Sequence, residues 1–234
     1  MADARAPDFY ERFWRDADYT LAYARDSAER DRGPAIRALW GNRPKPLRVL
    51  DFGCGNGVLT HWLHEHGFGR DILGVDVSRT GVEFANRSFA GDGLRFDTNA
   101  PEGRFDLVVS SHVLEHLPDP LATLRQLRGL APIFVFEVPV EDAVVPNLLT
   151  RLRGRPRTDN PVGHLNFWTR AGFHNLLREA GFRILGEHHY ASAPFSPYTS
   201  PAKRIVERIG LAVLGLPLYS KLMATHDAVL AEPG

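Results

Sequence analysis

The chain is poor in sulfur and carries no excess charge. Its 234 residues include one cysteine and two methionines. A lone thiol, Cys54, forms no internal disulfide, so no disulfide framework supports this fold and a reducing compartment suits it. Lysine occurs only at Lys45, Lys203 and Lys221, and the other basic residues are arginine, a bias of composition rather than of function. With 28 basic and 28 acidic residues there is no basic surplus, so a nucleic-acid partner is not expected. No long apolar run is present. Residues 209–219 are interrupted by Pro217 and fall short of the ~20 residues that span a bilayer. Residues 1–9 carry no apolar signal core, and a cytoplasmic location is the expectation. There is no internal repeat and no low-complexity tract.

The composition that remains is ordinary. A hydrophobic fraction of 44% and a charged fraction of 24% fit a globule with a sizeable core. The length suits one domain, or one domain with a cap. Residues 8–40 read as helical, with Phe9, Tyr10, Phe13 and Trp14 at i, i+4 spacing, and Pro44 and Pro46 lead out of them. Strands are then expected at 47–51, 72–77, 94–97, 107–111, 133–138, 183–190 and 227–231. Helices are expected at 58–66, 80–88, 121–130, 170–180 and 202–214. Pro120 suits a first helical position, Thr169 an N-cap, Ser200-Pro201 a cap followed by a first-turn proline, and Gly67 and Gly181 helix stops. This alternation predicts a doubly wound α/β fold, a seven-stranded, mostly parallel sheet with helices on both faces. Ligands then bind outside the carboxyl ends of the strands, where Asp51, Asp76, Asp97, Ser111 and His112 fall.

The most informative stretch is Val49-Leu50-Asp51-Phe52-Gly53-Cys54-Gly55-Asn56-Gly57. An apolar strand ends in an acid and breaks into three glycines spaced two apart. Glycine tolerates positive φ and lets a backbone approach a ligand closely, and the following helix offers free N–H groups. A dinucleotide turn would read G-x-G-x-x-G, so the G-x-G-x-G spacing opposes a nicotinamide or flavin cofactor. Further along stand Ile72-Leu73-Gly74-Val75-Asp76-Val77, Phe105-Asp106-Leu107-Val108-Val109-Ser110-Ser111-His112-Val113-Leu114-Glu115-His116, and Gly163-His164-Leu165-Asn166-Phe167-Trp168-Thr169.

Together these segments resemble the class I S-adenosylmethionine-dependent methyltransferases, in their small-molecule branch, over roughly residues 45–190. The resemblance implies a Rossmann-like core over residues 45–234, a helical cap over 1–44, and added segments at about 139–165 and 191–225. It implies S-adenosyl-L-methionine as cofactor, with contacts from Asp51, Gly53, Cys54, Gly55 and Gly57 at the turn. Asp76 is expected on the ribose hydroxyls with Val77 beside it, Asn99 or Asp97 near the adenine amine, and Ser111 at the end of the fourth strand. Cys54 is read as a small residue that the turn tolerates. Trp14 is expected in packed core, while Tyr19 and Tyr23 are open between core and an aromatic lid. The histidines at 61, 64 and 66 are read as surface, and those at 188 and 189 as sheet-face residues.

Methyl transfer from a sulfonium asks a protein to align the reactants, exclude water and remove the acceptor's proton. The catalytic candidates are His112, Glu115, His116 and His164. The first three stand at i, i+3 and i+4 and share a face if a helical turn follows the fourth strand; His164 is expected to return over the same rim. One reading makes a histidine the general base. A second has these groups hold a divalent metal that polarises a hydroxyl. Quinone O-methyltransferases and small-RNA 3′-end methyltransferases are similar here, with glutamate where His112 stands, and that departure disfavours a metal. A third reading leaves Glu115 and His116 holding the turn by hydrogen bonds alone. The metal-free base is the expectation, with no metal ligand assigned.

The acceptor is expected to be a hydroxyl or amine of a small molecule, such as a sugar or natural-product intermediate. The apolar stretch 205–219 raises an alternative, a quinone-like or lipid-linked acceptor at a membrane surface. A cofactor-binding regulatory protein without catalysis is a second alternative, opposed by the polar rim. A homodimer is compatible with the sequence. The arginines at 151, 153, 155 and 157 are read as a solvated loop.

Overall fold

The computed structural model describes residues 7–15, 17–154, 160 and 162–234, with backbone alone for 7–8 and 17–20. The side chain of Tyr19 and the residues Arg155 and Arg157 therefore lie outside the described residues. Five apolar runs form parallel strands: β1 (Arg48–Phe52), β2 (Asp71–Val75), β3 (Leu94–Asp97), β4 (Leu107–Ser111) and β5 (Ile133–Val140). β6 (Phe182–Tyr190) and β7 (Thr225–Pro233) complete a seven-stranded sheet of order β3-β2-β1-β4-β5-β7-β6. β7 is antiparallel to both its neighbours, so β6 runs parallel to β5 and its carboxyl end joins the same rim. The order reverses between β1 and β4, which opens a crevice at their carboxyl ends.

Helices α1 (Pro7–Phe13), α2 (Ala17–Ser27) and α3 (Gly33–Trp40) precede the sheet, with a π-helical turn at Ala28–Arg32. The others are α4 (Val58–Glu65), α5 (Arg79–Phe89), α6 (Pro120–Leu127), α7 (Val144–Arg153), α8 (Arg170–Glu179) and α9 (Pro201–Leu222). The strands' period of two sends alternate side chains to opposite faces. Val49, Val109 and Val135 pack on one face with Ile36, Leu39, Leu63 and Val82 of α3, α4 and α5. Leu50, Val108 and Phe134 pack on the other with Leu124, Leu127, Phe173 and Leu177 of α6 and α8. Buried on both faces, the strands read as near-continuous apolar runs.

Helix ends follow the local chemistry of the sequence. Asp119 caps α6 by accepting from the Ala122 N–H (2.9 Å) with Pro120 at the first position, and Thr169 caps α8 by accepting from Gly172 N–H (3.0 Å). Ser200 precedes Pro201 at the start of α9 without a side-chain cap bond.

Two segments differ from expectation. Residues 144–153 form a helix instead of a loop, because Val144, Leu148 and Leu152 repeat at helical spacing under the alternate arginines. α9 runs eight residues beyond its expected end, broken at Gly215 (φ 67°, ψ 161°). β5 extends through Pro139 to Val140; its pairing with β4 ends at Glu137, so the proline's missing N–H breaks no bond on that side.

Candidate active site

The turn after β1 is shaped by glycine. Gly53, Gly55 and Gly57 take φ of 81°, 54° and 77°, the left-handed region that side chains disfavour. The N–H groups of Gly53 and Cys54 both donate to Val75 O (2.8 and 2.9 Å), which ties the turn to β2. Asp76, at the end of β2, accepts from Gly55 N–H at one oxygen (2.8 Å) and from Ser78 N–H at the other (2.9 Å). A carboxylate has about four acceptor sites, so these bonds leave room for more donors. Burial raises the Asp76 pKa, against the two N–H bonds.

Asp51 lies beneath the turn, 1% exposed, and accepts from Thr60 Oγ1 (2.6 Å). Burial lifts its pKa to about 6. Cys54 is buried, and burial drives its thiol well above the usual range, so it is no nucleophile. Val77 is 78% exposed, and Asp97 and Asn99 stand exposed at the rim with Asn99 donating to Asp97 through both nitrogens. Ser111 differs from its neighbours at the rim: its hydroxyl is buried and donates to Glu137 (2.6 Å), away from the turn.

Trp14 is not in the core. Its indole lies so close to the turn that a Cβ built on Gly55 would meet a ring atom at 2.4 Å. Gly55 and Gly81, both lacking side chains, leave the hollow it occupies. Glu11, on the same N-terminal segment, accepts from the N–H groups of Arg79 (2.8 Å) and Thr80 (2.9 Å) at the start of α5. The bonds from Thr80 lead in lowering its pKa, as a carboxylate at a helix N-terminus should. Tyr23 is instead 42% exposed and edge-on to Tyr198.

Across the crevice the end of β4 carries the histidines. His112 is the only non-glycine with positive φ among the described residues, at 58°, a conformation that costs energy and clusters at working sites. A short 3-10 turn, Leu114–His116, follows and aims Glu115 inward. Glu115 is 0% exposed, and neither carboxylate oxygen has a hydrogen-bond donor. The nearest groups able to carry positive charge are His112 Nδ1 at 3.4 Å and His116 Nε2 at 3.9 Å. Burial drives its pKa well upward.

His164 arrives from the segment between α7 and α8. That segment is held by Leu165 and Asn166 N–H groups donating to Glu115 O (2.8 and 2.9 Å), and by Asn166 Nδ2 donating to Leu117 O (2.8 Å). The His164 and His116 rings are 4.9 Å apart, and His164 Nδ1 meets Glu141 Oε2 at 2.6 Å. The four catalytic candidates therefore share one rim. Burial lowers the pKa of His112 well below the ordinary value and that of His116 to about 4.

Five participants have no counterpart among the expected site residues. Glu137 is fully buried on β5 and accepts from Ser111 and from Tyr190 OH. The sequence carries a signal for it: it is the only charge in the strand Ile-Phe-Val-Phe-Glu-Val-Pro-Val. His226 on β7 lies 5.1 Å from the His112 ring, with its own pKa lowered by burial. Glu141 and Tyr190 reach the cluster from the ends of β5 and β6. Tyr10 stands edge-on to His116 (5.8 Å); burial, then the charges of Glu115 and Asp76, push its pKa to about 12. With Tyr10 on His116 and Glu11 on the start of α5, α1 thus reaches both sides of the crevice.

The methyltransferase domain family matches residues 13–187. The chain belongs to that family. It is an S-adenosylmethionine-dependent methyltransferase with a Rossmann-like fold. The methyltransferase is 40% identical over 90 residues to a ribosomal RNA small subunit methyltransferase C of Alcanivorax borkumensis, covering 35% of this chain and 27% of that one. It is 36% identical over 92 residues to a ubiquinone biosynthesis O-methyltransferase of Cereibacter sphaeroides, covering 36% of each. The matches thus span about a third of the length of these curated relatives. An S-adenosylmethionine-dependent methyltransferase from Mesorhizobium loti shares the fold, with a TM-score of 0.54 at 24% identity over 85% of this chain and 96% of that one. One relative is named for RNA and another for a quinone, so the methyltransferase's acceptor has to be argued from its own site.

Proposed function

We propose that the methyltransferase alkylates a hydroxyl or amine of a small molecule, such as a sugar or natural-product intermediate, with His164 as general base. The observation that carries this reading is the 2.6 Å contact of His164 Nδ1 with Glu141, beside His116 and Glu115 at the crevice. An imidazole whose Nδ1–H is given to a carboxylate keeps Nε2 free as a proton acceptor. When bound, the cofactor supplies an electrophilic methyl on a positively charged sulfur. The protein's tasks are then to align the acceptor and take its proton. His112 and His116, kept neutral by burial, orient the acceptor by hydrogen bonds. Glu115 in its neutral acid form offers an O–H toward His112 Nδ1. On the other side, Asp76 receives the ribose hydroxyls, the glycine turn passes beneath the methionine portion, and Val77, Asp97 and Asn99 face the adenine end. Ser111, committed to Glu137, leaves the set of cofactor contacts.

A second reading is favoured by one observation. One ligand atom each from Glu115, His116 and His164 lie within 4.8 Å of one another, and the Glu115 carboxylate is buried without a donor. A divalent cation suits one carboxylate and two imidazoles. There it would polarise an acceptor hydroxyl, as in a metal-assisted O-methyltransferase.

The test is turnover on an acceptor panel, with cofactor affinity measured in parallel. His164→Ala should lower turnover by about 10²–10⁴-fold and leave affinity for S-adenosylhomocysteine within twofold. If EDTA leaves the wild-type rate unchanged, the base reading stands. If EDTA abolishes it and Mg²⁺, Mn²⁺ or Zn²⁺ restores it, the metal reading replaces it. Full turnover by His164→Ala would end both.

A further inference from the structure

Two helices stand on the catalytic rim with their apolar sides to solvent. α7 leaves the carboxyl end of β5, and α9 joins the carboxyl end of β6 to the start of β7, where Thr225 pairs with Val140. Both segments therefore rise from the edge that carries His112, His116 and His164, and the two helices touch each other. α7 buries none of its residues. Val144, Leu148 and Leu152 repeat every four residues and are 57%, 52% and 73% exposed. Ile205, Ile209 and Val213 repeat in the same way along α9 and are 59%, 58% and 76% exposed. Burying such side chains is favourable, and exposed aliphatic stripes of this kind mark a binding face.

Charge chooses the occupant. Arg151 and Arg153 end α7, Lys203, Arg204 and Arg208 lie in the first half of α9, and Lys221 lies near its end. Glu207 is the single acid on both helices, and it is 2% exposed, accepting from Tyr219 OH with Lys203 Nζ 3.7 Å away. The chain as a whole is neutral, so these two helices, with six basic residues and one acid, carry a local positive excess. A second copy laid on this face by a twofold axis would bring the two basic rims together. An anionic lipid surface instead neutralises them while taking up the aliphatic stripes. Among the described residues no helix is long and apolar enough to cross a membrane, and α9 is broken at Gly215.

We propose that α7 and α9 form a docking face for anionic lipid bilayers, holding the acceptor side of the site at the membrane surface. The corollary, that the acceptor is dissolved in or linked to lipid, rests on the methyl-transfer reading; the docking face does not.

The experiment is co-sedimentation of the full chain, without cofactor, with phosphatidylcholine vesicles with and without phosphatidylglycerol. Binding should be at least tenfold stronger with phosphatidylglycerol, because several basic residues engage its headgroups, and should fall as salt is added. Leu152→Glu with Ile209→Glu should abolish it. Arg151→Glu with Arg153→Glu should remove the preference for the anionic vesicles. All four positions are exposed, and unchanged S-adenosylhomocysteine affinity confirms that the variants fold. Absence of vesicle binding, or equal binding to both compositions, overturns the proposal. So does a wild-type dimer in light scattering that Leu152→Glu with Ile209→Glu converts to monomers, since the face then belongs to a second copy. Loss of turnover with vesicle binding intact would count against the methyl-transfer reading alone.

Discussion

At the end of β1 the surface that faces the crevice is main chain, shaped by three glycines with positive φ and steadied by Asp76 and Val75. At the end of β4 it is side chain: His112, Glu115, His116 and His164, backed by Glu137, Glu141 and His226. The first half is drawn mainly from residues 51–81, with Glu11 and Trp14 of the N-terminal segment packed against it. The second gathers residues from four separate strand ends and from α1. The main chain of the turn tolerates no added Cβ and does not itself titrate, although the acids Asp51 and Asp76 that steady it do. A side-chain surface tolerates substitution sterically, and its behaviour is governed by which groups are charged.

The sharpest way to break that contrast is Gly55→Val. At φ 54° and with the Trp14 ring 2.4 Å from the added Cβ, the valine strains the turn and collides with the indole packed against it. Cofactor affinity should fall on the order of a hundredfold or more, about 2.7 kcal/mol, in a protein that circular dichroism reports as folded. Calorimetry showing unchanged affinity would mean that the turn does not carry the cofactor.

Protonation separates the halves next. His116 has a folded pKa of about 4, below its ordinary 6.5. Stability from its neutral form is whole above pH 6.5 and is lost as pH falls toward 4, up to about 3 kcal/mol. Asp51 is the reverse: raised from 3.8 to about 6, its contribution is whole at low pH and lost as pH rises through 6. Melting temperatures from pH 4 to 8 should show a flatter acid limb for His116→Gln. Asp51→Asn should gain most over wild type above pH 6. Curves parallel to wild type for both variants would show that neither group titrates as placed.

Asp76→Ala is a smaller change on the main-chain side. Losing the ribose contacts should weaken cofactor binding at least tenfold, about 1.4 kcal/mol, and equal affinities in calorimetry would remove Asp76 from the ribose. The smallest effect is expected at Trp14. Its indole lies on the cofactor turn, so cofactor binding should alter tryptophan emission in the wild type. Trp14→Ala should lose that change while affinity moves only a few-fold. Emission unaffected by cofactor in the wild type would place the ligand elsewhere.

Much of this arrangement is legible in the sequence. All seven strands and four of the five helices expected among them lie within a few residues of expectation, because a sheet buried on both faces needs apolar runs and its helices need caps. α7 is harder to read because the alternate arginines of 151–157 suggest a loop, whereas Val144, Leu148 and Leu152 follow the period that decides the matter. The helical spacing of Trp14 points to the core; spacing cannot show that two glycines, 55 and 81, leave a hollow for its indole beside the turn.

The sequence by itself determined the glycine turn, the acids at the strand ends and the family, since these are written in residues adjacent along the chain. Tertiary structure alone decided that Glu141 would hold His164, that Glu137 and His226 would stand behind His112, and that α1 would reach both sides of the crevice. These partners lie tens to more than a hundred residues apart, and only the strand order β1-β4-β5-β7 brings their ends together. It also decided their charge states. Burial lowers the imidazole pKa values and raises that of Glu115, and burial is a property of the packed molecule, not of the side chain.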